Sequence, residues 1–406
     1  MNLEVIMELY VYRREANFAP SVELVERKGR GHPDTLADRL AEHLSARYSL
    51  YTRQRFGVIL YHNFDKVGLL GGESEVAFGA GRLVKPIRVL LNGRAADRLG
   101  NTRIPLRDLL QEWASEFLTR ELPLLNVNRD LEFHYNISTA NTPGYPVTDF
   151  KPESVSQLHQ LRQRLSSDTA AICVQVPLTP VEEAVIAVER LLTDDSYRNA
   201  RPWLGSDIKV LACRTDRHIG VTVCVPQIAQ AVRSIDEYRC NLETVRQDIY
   251  DVLVRHLYGC SVELHINTKD NFDRGELYLT AIGSCIESGD EGLVGRGNRP
   301  NGVISANRPH TGEAACGKHP VFFPGKVYPV AGWEIATRLY AICGTPVEIW
   351  LIAQEGRPLY DPWKVIVIHE SADLPRSIVE QTVSEVLGNL DAVTEMILDG
   401  RVSLCP

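Results

Sequence analysis

The sequence predicts an α+β protein of three similar subdomains, each with helices on one face of an antiparallel sheet. Three observations lead there. Stretches with apolar residues at spacings of three and four alternate with short apolar runs. The order helix, strand, strand, helix comes round three times. The paired strands are joined by turns, which favours antiparallel sheets with segregated helices. At 406 residues the chain is long for one core, so two or three domains fit its length.

In chain order, residues 1–16 read as an extension to which the sequence gives no role. Leu36, Leu40, Leu44, Tyr48 and Tyr51 mark an amphipathic helix over 34–54, followed by strands at 58–61 and 87–91. Leu106, Leu109, Leu110, Trp113 and Phe117 mark a second helix, and 133–137 a further strand. After a polar, proline-bearing stretch, 181–192 is helical, 208–213 and 219–225 are strands turning at Thr215-Asp216-Arg217, 235–257 is a long helix and 262–266 a strand. The third round is helix 331–342, strands 347–353 and 365–368, and helix 377–391. The expected domains are therefore 17–150, 151–270 and 271–406. The threefold reading rests on element order, since no residue-level repeat is visible.

Composition narrows the function. A net charge of -8 argues against a nucleic-acid partner, so an anionic ligand needs a locally basic pocket. The nine cysteines are scattered without a Cys-x-x-Cys pair, which disfavours zinc ribbons and disulfide frameworks and fits a reducing compartment. No apolar run approaches the ~18 residues of a membrane span, and no signal-peptide core opens the chain.

The chemistry-bearing residues sit in two main blocks. Gly31-His32-Pro33-Asp34 opens the first helix, with Pro33 suited to a helix start and Asp34 to its first turn. On its own this reads equally as a cap with solvated neighbours; a histidine and carboxylate at a helix N-terminus also suit a phosphate site. Gly292-Leu293-Val294-Gly295-Arg296-Gly297-Asn298-Arg299 is a glycine loop with two arginines. Glycines allow close backbone approach, and guanidinium groups clamp phosphate or carboxylate. Together they suggest a metal-assisted polyphosphate site. A near P-loop at Gly312–His319 is set aside: it lacks the final Ser/Thr and follows no buried strand.

These motifs together resemble the S-adenosylmethionine synthetase (methionine adenosyltransferase) family, in its archaeal-type branch. The resemblance covers residues 22–402 and is strongest in 22–94 and 277–328. It implies three related α+β domains in pseudo-threefold arrangement, with segments exchanged between them. It also implies roles by position. His32 stabilises a leaving triphosphate, and Asp34 binds Mg²⁺. Lys66 of His62-Asn63-Phe64-Asp65-Lys66-Val67 falls at a substrate position, as do Glu26, Glu73 of Gly71-Gly72-Glu73, and Asp168. Lys209, Arg296, Lys318 and Lys326 lie at polyphosphate positions, and Gly295, Gly297, Asn298 and Arg299 complete the loop. Asp290 aligns with a metal- or methionine-binding acid. The family pattern Ala-Asn-Asp-Thr-Ser is replaced here by Ser166-Ser167-Asp168-Thr169-Ala170.

The implied reaction joins L-methionine to ATP. The thioether attacks C5′ and expels triphosphate, which is then hydrolysed, with Mg²⁺ and K⁺ as cofactors. A thioether has no proton to lose, so no general base is needed, and the sequence shows no Ser-His-Asp or Cys-His arrangement. The family is a cytoplasmic homodimer with sites at the subunit interface. Two other readings stay open: a relative that adenosylates another thioether or methionine analogue, suggested by Ser166-Ser167, and a non-catalytic regulatory subunit. Retention of the charged motif residues weighs against the last.

Overall fold

The computed structural model describes residues 8–15, 21–140, 149–158, 161 and 163–406. Its helices and strands form an α+β architecture around three main sheets. One sheet runs in the order Leu131–Ser138, Ile87–Ala95, Gly68–Leu70, Gly292–Leu293, with His62–Asn63 also paired to Ile87–Ala95. The second runs Ser261–Ile266, His218–Cys224, Lys209–Thr215, Val22–Lys28, Ile304–Ser305. The third runs Glu8–Arg13, Lys364–His369, Val347–Ile352, Ala171–Val176.

Each sheet has its own apolar core. The first is packed by helix α1 (Pro33–Phe56) and helix Leu106–Glu121 through Leu36, Leu40, Leu44, Leu110 and Phe117. Helices Pro180–Thr193 and Ile235–His256 close the second, around Val185, Leu192, Val245 and Ile249. Helices Pro324–Cys343, Arg376–Leu387 and Leu390–Leu398 close the third.

The sheets are not wholly antiparallel as expected. Each carries one parallel edge pair: Leu131–Ser138 with Ile87–Ala95, Ser261–Ile266 with His218–Cys224, and Glu8–Arg13 with Lys364–His369. In the first two a helix lies between the paired strands and returns the chain to the same sheet end, which forces parallel pairing. Residues 58–61 are not a ladder strand: Val58 lies in a bend, the Tyr61 carbonyl accepts the Ala96 N–H at 2.9 Å, and the strand begins at His62. Helix Pro324–Cys343 starts earlier than the apolar period suggested, with Pro324 at its first turn and Pro329 inside it. The helix expected over 377–391 is two helices, parted at Gly388 and Asn389. Residues 8–13 of the N-terminal extension form an edge strand.

Sheet and chain stretch do not coincide. Val22–Lys28 pairs with Lys209–Thr215, Ala171–Val176 with Val347–Ile352, and Gly292–Leu293 with Gly68–Leu70. The first and third of these crossings bring the glycine loop, Lys209 and the start of α1 together.

Candidate active site

The site is built along one face of α1. His32 is the N-cap, and its Nδ1 accepts the Asp34 N–H at 3.2 Å. A ring nitrogen that accepts carries no proton, so the neutral imidazole bears its proton on Nε2 and keeps a donor free of the helix. Burial lowers the His32 pKa below its ordinary value; nearby Asp207 and Asp34 oppose this, while Lys28 and Lys209 add to it.

The glycine loop lies against the first two turns of α1. A Cβ on Gly292 would sit 1.9 Å from the Pro33 carbonyl, so only glycine fits there. Leu293 donates its N–H to Asp34 Oδ1 at 3.1 Å. Gly295 and Gly297 donate theirs to the two oxygens of Asp38, at 2.7 and 3.0 Å. Asn298 pairs with both backbone groups of Lys28, at 2.9 and 2.8 Å, and Arg299 donates to the Gly295 carbonyl at 3.3 Å. Arg296 is left with its guanidinium 69% exposed, its Nε 3.9 Å from Asp34 Oδ1.

The second sheet adds cations from the side. Lys28 and Lys209 are cross-strand partners, and Glu26 Oε1 lies 3.8 and 3.3 Å from their ammonium groups. Lys28 Nζ also reaches Asp34 Oδ2 at 2.9 Å and the Arg296 carbonyl at 2.7 Å. Behind them, buried Asp207 accepts from the Cys285 amide at 2.8 Å and its Sγ at 2.6 Å; the same Sγ lies 3.2 Å from Asp290 Oδ2. Burial raises the Asp207 pKa, and it also pushes the Cys285 thiol up, so this cysteine stays protonated.

Further along α1 lies a second group of charges. Lys318 Nζ sits 2.9 Å from Glu313, 3.4 Å from Asp65 and 3.7 Å above the Phe323 ring. Lys326 is 1% exposed at its side chain, and its ammonium group serves Glu42 at 2.8 Å, Ser45 Oγ at 3.1 Å and the Lys318 carbonyl at 2.7 Å. Glu42 also takes the Gly317 N–H at 3.0 Å. Ser45 Oγ is 2.9 Å from His62 Nε2, but burial lowers that histidine to about 3, so the contact is a packed hydrogen bond without a base.

Helix, loop and second sheet thus bring together His32, Asp34, Lys209, Glu26, Arg296 and the loop residues Gly295, Gly297, Asn298 and Arg299. Lys318 and Lys326 join farther along the helix, beside Asp65, while the neighbouring Lys66 is mostly exposed and paired to Asp65 at 2.6 Å. Two expected residues stand apart. Glu73 is exposed on the hairpin Glu73–Ala77/Ala80–Lys85, paired with Lys85. Asp168 accepts from its neighbour Thr169 at 2.7 Å, in a segment bound to residues 353–357. Asp38, Glu42, Asp207 and Cys285 were not singled out from the sequence. Asp34, Asp38 and Glu42 recur every four residues beside Leu36, Leu40 and Leu44, a spacing that puts all three on one helix face and could have exposed them.

As for a metal, no group of three or more His, Cys, Asp or Glu among the described residues is set to hold an ion by itself. The donor chemistry nevertheless fits Mg²⁺, which keeps several waters and needs only one or two carboxylates beside substrate phosphates. Asp290 is exposed, and its Oδ1 accepts the N–H of its neighbour Glu291 at 3.0 Å.

Lys28, Lys209 and Arg296 gather cationic side chains near the start of α1, a helix end whose chemistry suits an anionic ligand. Comparison with known proteins makes this specific. The family described as S-adenosylmethionine synthetase (AdoMet synthetase) matches residues 8–401. The S-adenosylmethionine synthase of Pyrobaculum aerophilum is 34% identical over 394 residues, covering 94% of this chain and 96% of that protein. That of Hyperthermus butylicus is 33% identical over 398 residues, covering 95% of each. An unusual S-adenosylmethionine synthetase from Campylobacter jejuni shares the fold, with TM-score 0.55 and 15% identity over 93% of this chain and 88% of that one. The chain belongs to the S-adenosylmethionine synthetase family.

Proposed function

We propose that this chain synthesises S-adenosylmethionine from ATP and L-methionine, a methionine adenosyltransferase that displaces and then hydrolyses triphosphate. The observation that carries the reading is the His32 cap, with a proton-bearing Nε2 and with Lys28 and Lys209 close enough to lower its pKa. Displacement at C5′ leaves charge on the triphosphate oxygen, and a fixed donor among cations stabilises that charge as it forms. Lys318, buried and held by Asp65 and Glu313, would add positive charge farther along α1, and Lys326 supports it through the Lys318 carbonyl. Incubation with ATP, Mg²⁺ and methionine, followed by mass spectrometry, tests the reading: a sulfonium product is expected, and its absence rejects it. A second reading, a different thioether substrate, is favoured by Ser167, whose buried Oγ has no hydrogen-bond partner among the described residues. The same assay with competing thioethers decides between them.

Asp290 and Asp34 would hold Mg²⁺ against the substrate phosphates, and K⁺ completes the family's cofactor set. When bound, Mg²⁺ would neutralise polyphosphate charge. Chelation is expected to abolish turnover, and Asp290→Asn to raise the Mg²⁺ concentration needed for half-maximal rate about tenfold or more. Full activity after exhaustive chelation rejects the metal; unchanged Mg²⁺ dependence in the variant rejects this ligand.

A homodimer with the site at its interface is the expected assembly, in a reducing cytoplasm where nine unpaired cysteines stay reduced. No helix among the described residues is long and apolar enough to cross a membrane. Val22, Leu24, Glu26 and Lys28 share one face of their strand, and Lys209 and Leu211 stand opposite them. Leu24 is 40% and Leu211 42% exposed, so this face carries site residues at one end and uncovered apolar ones at the other. Leu24→Glu with Leu211→Glu should yield an inactive monomer in sedimentation experiments. A fully active wild-type monomer at micromolar concentration contradicts the assembly.

A further inference from the structure

We propose that Asp38 is a positioning residue for Arg296: its carboxylate holds the amides on both sides of that arginine and so aims the guanidinium across the start of α1. The inference deepens the polyphosphate reading above and rests on it.

Asp38 lies one turn beyond Asp34 and is 3% exposed, too enclosed to meet a substrate itself. Both of its oxygens are used, one by Gly295 N–H at 2.7 Å and the other by Gly297 N–H at 3.0 Å. Arg296 is the residue between those amides. The loop approaches so closely that a Cβ on Gly297 would fall 2.3 Å from Asp38 Oδ2. Gly295 has φ +89, a left-handed conformation that glycine adopts without strain. The Arg296 carbonyl is separately tied to Lys28 at 2.7 Å. The backbone of Arg296 is therefore fixed on three sides, while its largely exposed side chain passes within 3.9 Å of Asp34 Oδ1. A guanidinium on a mobile loop would lose orientational entropy on meeting an anion; one on a clamped backbone loses less.

The charged surroundings agree with that role. The Asp38 carboxyl stands raised at about 7: burial drives the rise, the two glycine amides limit it, Asp34 adds to it and Arg299 opposes it. A buried carboxylate beside another acid is costly unless backbone donors face it, and here they do.

The test reads binding of inorganic triphosphate with Mg²⁺ by calorimetry, together with amide hydrogen exchange. Asp38→Asn replaces one acceptor by an NH₂ that confronts a loop N–H. Exchange across 293–298 should quicken, and triphosphate should bind about tenfold more weakly. Arg296→Ala should weaken binding by a similar factor. The double variant should lose nothing further, because Asp38 acts through Arg296. Gly297→Ala disturbs the same clamp from the loop side and should reproduce the effect, which decides the matter if Asp38→Asn misfolds. Triphosphate binding that is unchanged in both clamp variants, or losses that add to that of Arg296→Ala, overturn the role of Asp38. A wild type that binds no triphosphate overturns the polyphosphate reading itself.

Discussion

Replacing His32 by alanine is expected to slow sulfonium formation by about 10²–10³-fold while ATP still binds measurably. The ring does two things at once, and the variant removes both. It caps α1 through Nδ1, and that acceptance leaves the proton on Nε2. Loss of the cap costs about 1 kcal/mol of helix stability, too little to unfold a domain. Loss of the Nε2 donor removes stabilisation of charge that exists only as the bond to triphosphate breaks, so the rate of the chemical step falls more than affinity. His32→Asn separates the two effects. Asparagine is among the best capping residues, so its helix should be as stable as wild type, yet its side chain is too short to carry a donor to the Nε2 position. Single-turnover rates measured beside urea unfolding distinguish them. Near-normal turnover in His32→Ala, or rescue of the rate by asparagine, removes histidine from the chemistry.

Much of this site was legible because its residues are of unusual type in unusual density. The run at 31–34 and the block 292–299 combine glycine, arginine, histidine and acid in a way that a core or a solvated loop does not require. The helices were legible because Leu36, Leu40 and Leu44 repeat with the helical period. The strand Val22–Lys28 was hidden for a physical reason. Its inward positions include Glu23 and Arg27, so the apolar alternation that marks a strand is broken. Each of those charges is neutralised from far along the chain, Glu23 by Arg214 at 3.0 Å and Arg27 by Glu189 at 2.7 Å. The same limit hid the supporting residues of the site. Asp38 and Asp207 look like ordinary surface acids until the glycine loop and Cys285 are folded against them. The early start of helix Pro324–Cys343 was masked by its two prolines and Gly325, which lower helix propensity where packing decides the outcome.

Lys326 gives the second large expected effect, and it is an effect on stability. Sequence resemblance places this lysine at the polyphosphate, but its three donors are engaged by Glu42, Ser45 and the Lys318 carbonyl. Lys326→Met keeps the length of the chain and removes the charge. Glu42, which is also largely enclosed, would then hold an unpaired charge against Gly317, and breaking a buried pair in this way costs about 3–5 kcal/mol. That is a large share of the ~5–15 kcal/mol by which a domain is stable. Activity should fall too, since the carbonyl that sets the backbone of Lys318 loses its anchor. The discriminating measurement is a compensating change. Glu42→Gln retains an acceptor for Gly317 but removes the orphaned charge, so the pair Lys326→Met/Glu42→Gln should recover much of the lost stability. A direct phosphate ligand would behave differently: Lys326→Met would melt like the wild type, show a raised KM for ATP, and gain nothing from the change at Glu42. Denaturant unfolding of the two single variants and the double variant, with KM measured on each, separates a lysine that meets the substrate from one that holds its neighbour in place.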